Sequence, residues 1–109
     1  MAAKFEIFAS NNQFYFRLRA AQGEIILRSE GYTSKQGAKN GIEAVKSAAP
    51  YDSQYAKYSS PTIYFNLQAL GNYQVIGTSE TYSTIAARDS GIASVKANAP
   101  TAKVDDLTA

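Results

Sequence analysis

Lys35 and Lys39 stand four residues apart in TSKQGAKNGIEA (residues 33–44), on one face of any helix that forms there. Two ammonium groups beside a helix N-terminus make a place for an anion, because unpaired backbone N–H groups and the helix dipole already favour negative charge. A phosphate would suit it; the same lysines on a wet helix face would simply be solvated. Tyr15, Arg17 and Arg19 alternate along FYFRLRA, and Tyr64, Asn66 and Gln68 hold the matching places in IYFNLQA. Aromatic, guanidinium and amide groups on one bare sheet face suit a protein interface. They also suit single-strand stacking or plain cross-strand pairing. Glu24, Glu30 and Glu80 are the carboxylates near strand ends. Acid–base work would need two of them held close in an apolar cleft, and no spacing points to that.

Other chemistry is excluded by what the chain lacks. It has no Cys and no His, so disulfides, thiolate nucleophiles and the usual zinc ligands are absent. Histidine acid–base catalysis is absent too. There is no Gly-rich phosphate loop and no cluster of metal ligands. The composition, 45% apolar and 18% charged over 109 residues, is that of one globular domain. The net charge of +2 is too small to imply nucleic acid by itself. Seven of the eleven Lys/Arg but five of the nine Asp/Glu fall in residues 1–53, so the excess belongs to the first half. The start, MAAKFEIF, has no apolar core of a signal peptide. No apolar run approaches the ~20 residues of a membrane span. A monomeric cytoplasmic protein, without cofactor, metal or catalytic residues, is the expectation.

The elements that must position these groups are written twice. GIEAVKSAAP (41–50) returns as GIASVKANAP (91–100), and Ile26, Ser29, Glu30 and Tyr32 return at a shift of fifty as Ile76, Ser79, Glu80 and Tyr82. Upstream the shift is forty-nine: Tyr15, Phe16, Leu18 and Ala20 meet Tyr64, Phe65, Leu67 and Ala69. The extra residue falls around Gly71-Asn72, where a turn tolerates it. Each copy, about 4–53 and 54–109, reads as three strands and a helix. KFEIF and FYFRLRA alternate with period two, SNNQ between them supplies a turn, and EIILRSE follows a Gly turn. In EIILRSE, Ile25 and Leu27 are expected inward, and Ile26, with Ile76 of the second copy, outward. Ala38, Gly41, Ile42, Val45 and Ala49 form one helical face, with Thr33 and Gln36 as a capping box and Pro50 past the end. In the second copy Arg88 replaces Ala38. Glycine inside a helix costs about 1 kcal/mol against alanine, so Gly41 and Gly91 at one repeated place predict close approach of helix to sheet. About fifty residues bury too little to stand alone. The fold class expected is α+β: two tandem β3-α(-β) repeats in one mainly antiparallel sheet of six or seven strands. Both helices lie on its Phe/Leu face, related by a pseudo-two-fold. The tail AKVDDL (102–107) is a candidate last strand.

The run FYFRLRA…GEIILRSEGYTSK…AKNGIEAVK…AP, then IYFNLQA…SETY…GIASVKANAP, resembles the bacterial YegP-like family, an uncharacterised family, in its duplicated form. The likeness spans essentially the whole chain. It implies a β3-α-β unit used twice, one sheet with exchanged C-terminal strands, and in one-copy relatives a pair of subunits doing the same work. It implies no activity. Residues 34–98 also run α-β-β-β-α, the order of the double-stranded RNA-binding domain. There the lysine-bearing turn belongs to the second helix; here Lys35 and Lys39 are on the first, and the second copy has Ile85 and Asp89 in their places.

The residues together read as a small interaction module that meets a protein through the sheet face bearing Tyr15, Arg17, Arg19, Tyr64 and Asn66. The alternative is duplex or single-stranded nucleic acid held by Lys35, Lys39, Arg17 and Arg19. Gly41, Gly91, Tyr32 and Tyr82 are read as structural.

Overall fold

The computed structural model describes residues 2–109. Strands β1 (Lys4–Ser10), β2 (Gln13–Arg19) and β3 (Ile25–Arg28) form an antiparallel meander, followed by helix α1 (Lys35–Ala48). After a 3-10 turn at Asp52–Gln54 the pattern repeats: β4 (Tyr55–Tyr58), β5 (Tyr64–Gln68), β6 (Val75–Thr78), α2 (Ile85–Asn98). A second 3-10 turn leads to β7 (Lys103–Asp106). All seven strands make one sheet, ordered β4-β5-β6-β3-β2-β1-β7. Between the halves Arg28 pairs with Thr78. These are equivalent positions at the shift of fifty, so the pseudo-two-fold passes through that pair. The tail strand runs parallel to β1 of the other half, Lys4–Ile7 against Lys103–Asp106. The exchange is one-way, since β4, the counterpart of β1, is an outer strand of the sheet.

Turn chemistry explains the register. Asn11 and Asn12 both take positive φ, 53° and 61°, closing a two-residue hairpin between Ser10 and Gln13. In the second turn of the first copy the Ala20 N–H donates to the Glu24 carbonyl; in the second copy Ala69 reaches Gln74. The inserted residue therefore sits in the turn. Phe5, Ile7, Phe16, Leu18, Leu27, Phe65 and Leu67 form one fully buried sheet face, and Ile42, Val45, Ile92 and Val95 of the helices cover it.

Two expectations are corrected. Ile26 and Ile76 do not face outward: Ile26 is buried in the core and Ile76 packs against it. The cause is a β-bulge in each copy. Leu18 pairs with Leu27 but Arg19 with Ile25, and Leu67 with Gly77 but Gln68 with Val75. The extra residue, Ile26 or Ile76, breaks the alternation and turns inward beside its neighbour, while Ile25, expected inward, pairs with Arg19 and lines the outer face with Arg17 and Arg28. The cap of α1 is Ser34, whose Oγ accepts from the Gly37 N–H at 3.0 Å, rather than Thr33. In α2 the cap is Thr84, accepting from Ala87 at 3.0 Å. Arg88, out of place on an apolar helical stripe, is buried but satisfied, donating to the Tyr58 carbonyl at 3.2 Å and to Asp89.

Gly41 and Gly91 bring the helices onto the sheet as expected. A Cβ at Gly41 would overlap the Tyr32 hydroxyl and lie 2.8 Å from the Phe16 ring, and one at Gly91 would overlap the Tyr82 hydroxyl. The Ser-Glu-x-Tyr junction ties these parts together. The Ser29 Oγ accepts from the Phe16 N–H and donates to the Glu30 carbonyl; Ser79 does the same with Phe65 and Glu80. Tyr32 then bridges Phe14, and Tyr82 bridges Ile63. Burial, with Glu30 nearby, pushes the Tyr32 phenol up, and burial with Glu80 and Glu24 does so for Tyr82. Both remain neutral spacers under the glycines.

Candidate functional site

Because both helices cover the Phe/Leu face, the alternate residues look outward. In the first half these are Lys4, Glu6, Phe8, Tyr15, Arg17, Arg19 and Arg28; in the second, Ala56, Tyr58, Tyr64, Asn66, Gln68 and Thr78. The structure thus gathers Tyr15, Arg17 and Arg19 on one face with Tyr64 and Asn66. It adds two residues that alternation along β2 alone missed, Glu6 and Arg28. Glu6 was legible: a two-residue turn at Asn11-Asn12 sets it opposite Arg17.

Glu6 organises the first half. Its Oε1 accepts from the Arg17 Nε at 2.7 Å and the Arg19 Nε at 2.6 Å, and Lys4 lies 3.5 Å from Oε2. Three cations around it leave the residue 6% exposed, although no helix covers this face. Burial raises the Glu6 carboxyl, but hydrogen bonds from Arg19 and Arg17, and their charges, outweigh it and hold the group at about 2. The Arg17 guanidinium lies 4.4 Å over the Phe8 ring, and Phe8 stacks on Tyr15 at 5.5 Å. Across β2 and β3, Arg17 stands directly opposite Arg28. Arg28 is held from the other side, its Nη2 2.8 Å from Glu80 of the second half. A recess of about 260 Å³ opens here, lined by Phe8, Tyr15, Arg17, Ile25, Arg28 and Ser29, with Ser10 and Phe16.

The second half repeats the geometry without charge. Ala56 replaces Glu6, and Tyr58 stacks on Tyr64 at 4.7 Å where Phe8 meets Tyr15. Asn66 and Thr78 oppose each other in place of Arg17 and Arg28, and the Thr78 hydroxyl donates to the Asn66 Oδ1 at 2.8 Å. That pair is neutral and directly bonded.

Glu6 also gives a pH-dependent prediction. Its folded pKa of about 2 lies below the ordinary 4.5, so the stability it confers is complete above pH 4.5 and is lost as pH falls to about 2. Glu6→Gln should cost about 1–2 kcal/mol at neutral pH, the loss of charge-assisted hydrogen bonds from arginines that are themselves partly exposed. The difference from the parent, read from urea midpoints, should shrink steadily through that acid window. A constant difference would show that Glu6 carries no linked proton.

Lys35 and Lys39 are placed elsewhere. Lys35 is paired with Asp106 of β7 at 3.0 Å. The Thr108 hydroxyl and N–H, then Lys35, hold Asp106 down at about 2. Lys39 lines a cavity of about 350 Å³ between α1 and β7, with Glu43 and Asp106 among its walls. Both lysines lie in the helix layer, while Arg17 and Arg19 look out from the opposite sheet face. The nucleic-acid reading drew on all four, and they do not share a surface. The free helix end it invoked is capped by Ser34. The carboxylates fare no better as a catalytic set: Glu24, Glu30 and Glu80 are all exposed, and Glu80 is tied to Arg28. Among the described residues no group of Asp and Glu could hold a metal ion, and no helix is long and apolar enough to cross a membrane.

Comparison with known proteins fits this two-part build. Residues 9–55 and 59–106 each match a domain of unknown function, DUF1508. A UPF0339 protein of Shewanella oneidensis is 52% identical over 102 residues, covering 92% of each chain. The UPF0339 protein YegP of Escherichia coli is 49% identical over 111 residues, covering 99% of this chain and 100% of its own. The solution NMR structure of a UPF0339 protein from Shewanella oneidensis matches with a TM-score of 0.89 at 49% identity, covering 98% of this chain and 92% of that one. With both halves matched and relatives about half identical along nearly its whole length, the chain belongs to the uncharacterised UPF0339, or YegP-like, family in its form with two DUF1508 repeats.

Proposed function

We propose that this chain is a non-catalytic binding module that meets a protein partner through the outer sheet face of its first half, as a monomer in the cytoplasm. One observation carries the reading: the two halves build the same sheet, yet only one charges it. Ala56, Asn66, Gln68 and Thr78 make a sound outer face in the second half, so the fold does not require Glu6, Arg17, Arg19 and Arg28 in the first. Arginine beside stacked aromatic rings is the composition of interface hot spots. A buried carboxylate that fixes two guanidiniums in advance lowers the ordering cost of binding.

The test is a quantitative co-purification with paired variants. Tyr15→Ala with Arg28→Ala should remove at least about nine-tenths of a bound partner, the effect of losing roughly 1.4 kcal/mol or more. The mirror variant, Tyr64→Ala with Thr78→Ala, should retain it. Equal recovery with both variants would overturn the reading. Arg17 is left intact because its loss would strand Glu6. A parallel anisotropy titration with duplex and single-stranded nucleic acid should show no binding that falls steeply between about 50 and 200 mM salt; such binding would favour nucleic acid instead.

A further inference from the structure

We infer that the recess between Arg17 and Arg28 is a carboxylate-binding site, which takes one acidic side chain or chain terminus of the partner; this rests on, and sharpens, the function proposed above. Arg17 and Arg28 are directly opposed across β2 and β3, and like charges in that relation destabilise a sheet. Their anchors pull them apart. Glu6 lies on β1, beyond β2, and takes the Nε of Arg17; Glu80 follows β6, beyond β3, and takes one Nη of Arg28. Both arginines line the recess.

The inventory of donors then sets the ligand. A guanidinium carries five N–H groups. The Nη groups of Arg17 and the second Nη of Arg28 meet no protein acceptor among the described residues. No carboxylate lines the recess, and Phe8 and Ile25 add apolar wall, while the Tyr15 and Ser29 hydroxyls already donate to Gln13 and to the Glu30 carbonyl, so the arginines are its free donors. Two guanidiniums with unused N–H groups, both lining one recess, suit the two oxygens of a carboxylate. The volume, about 260 Å³, lies below the ~300–1,000 Å³ of small-molecule sites, so it admits a residue-sized group and not a cofactor. The counterpart in the second half joins Thr78 to Asn66 by a hydrogen bond and has no guanidinium to offer.

The experiment is an NMR titration of the full chain, following the Arg17 and Arg28 Nε–H resonances and the backbone amides of β2 and β3. The probes are glutamate capped at both ends, benzoate as a free small acid, and inorganic phosphate. Capped glutamate should give saturable shifts at Arg17 and Arg28, and Arg28→Gln should weaken it about tenfold or more. Benzoate equal to or tighter than capped glutamate would assign the site to free acids. Phosphate binding as tightly through the same residues would overturn the carboxylate assignment, as would the absence of any saturable shift. The two proposals fail separately. Co-purification that depends on Tyr15 and Arg28, without carboxylate binding, leaves the face and removes the recess. Carboxylate binding without a discriminating partner does the reverse.

Discussion

Gly41→Ala will destabilise the protein by about 1–3 kcal/mol, the usual cost of overpacking a well-filled core. At an ordinary mid-helix site the same change stabilises by about 1 kcal/mol. The sign reverses because the new Cβ would overlap the Tyr32 hydroxyl and lie 2.9 Å from its Cζ and 2.8 Å from Cε2 of Phe16. Tyr32 is only partly buried and its ring end can swing; Phe16 is fully buried and cannot. Gly91→Ala should cost less. Its Cβ would also press on Tyr82, at 2.8 Å from Cζ, but Phe65 stands off at an ordinary 3.4 Å. Removing the nearest atom supplies the control. In a Tyr32→Phe background, Gly41→Ala should recover part of its loss, and in a Tyr82→Phe background Gly91→Ala should recover most of it. Urea unfolding of the six variants, the two Tyr→Phe backgrounds included, reads all of this. A neutral or stabilising Gly41→Ala would mean that the helix lifts off at little cost, and that repeated glycines do not hold helix to sheet.

Those glycines show what a sequence can carry. A residue that opposes local propensity, at one place in both copies, reveals close approach because only tertiary packing repays it. Period two in FYFRLRA and IYFNLQA reveals strands for a similar reason, since a half-buried sheet leaves its pattern in every second residue. The bulges left no such trace. Ile25, Ile26 and Leu27 are all apolar, so nothing in their types says where alternation slips or that Ile26 and Ile76 turn inward. Thr33 and Ser34 offered the cap two adjacent hydroxyls, and backbone geometry chose between them. The outer face was legible as a list of residues along β2 and β5. Its centre, Glu6, depends on the pairing of β1 with β2, and Arg28 on the pairing of β3, which periodicity along one strand cannot supply. Lys35 and Lys39 lie apart from Arg17 and Arg19 because the sheet divides its two sides, a division that charge along the chain does not carry.

Gly77 and Leu27 hold the second large effect, and they bear on why the unit is duplicated within one chain. They are equivalent positions, fifty apart, and they lie diagonally across the Arg28–Thr78 pair on the buried face. A Cβ on Gly77 would meet Leu27 Cγ at 2.6 Å, Cδ2 at 2.7 Å and Cδ1 at 2.9 Å. One leucine side chain therefore fills a space that the symmetry offers twice. Gly77→Ala should cost about 1–3 kcal/mol by overpacking, and Leu27→Ala about 2–5 kcal/mol by the cavity it opens. Made together they should cost less than the sum, by about 1 kcal/mol or more, because the new methyl then enters the space that Leu27 vacates. Strict additivity would show that the two positions do not share the site. Two identical subunits cannot place leucine on one side of a two-fold and glycine on the other. Joined repeats can, and the one-way exchange of β7 onto β1, with β4 left at the opposite edge, is a second difference of the same kind. The charged outer face of the first half is a third. Fusion frees each half from its twin: one core position becomes large and its mate absent, one edge is covered, and one face acquires arginines that the fold itself does not need.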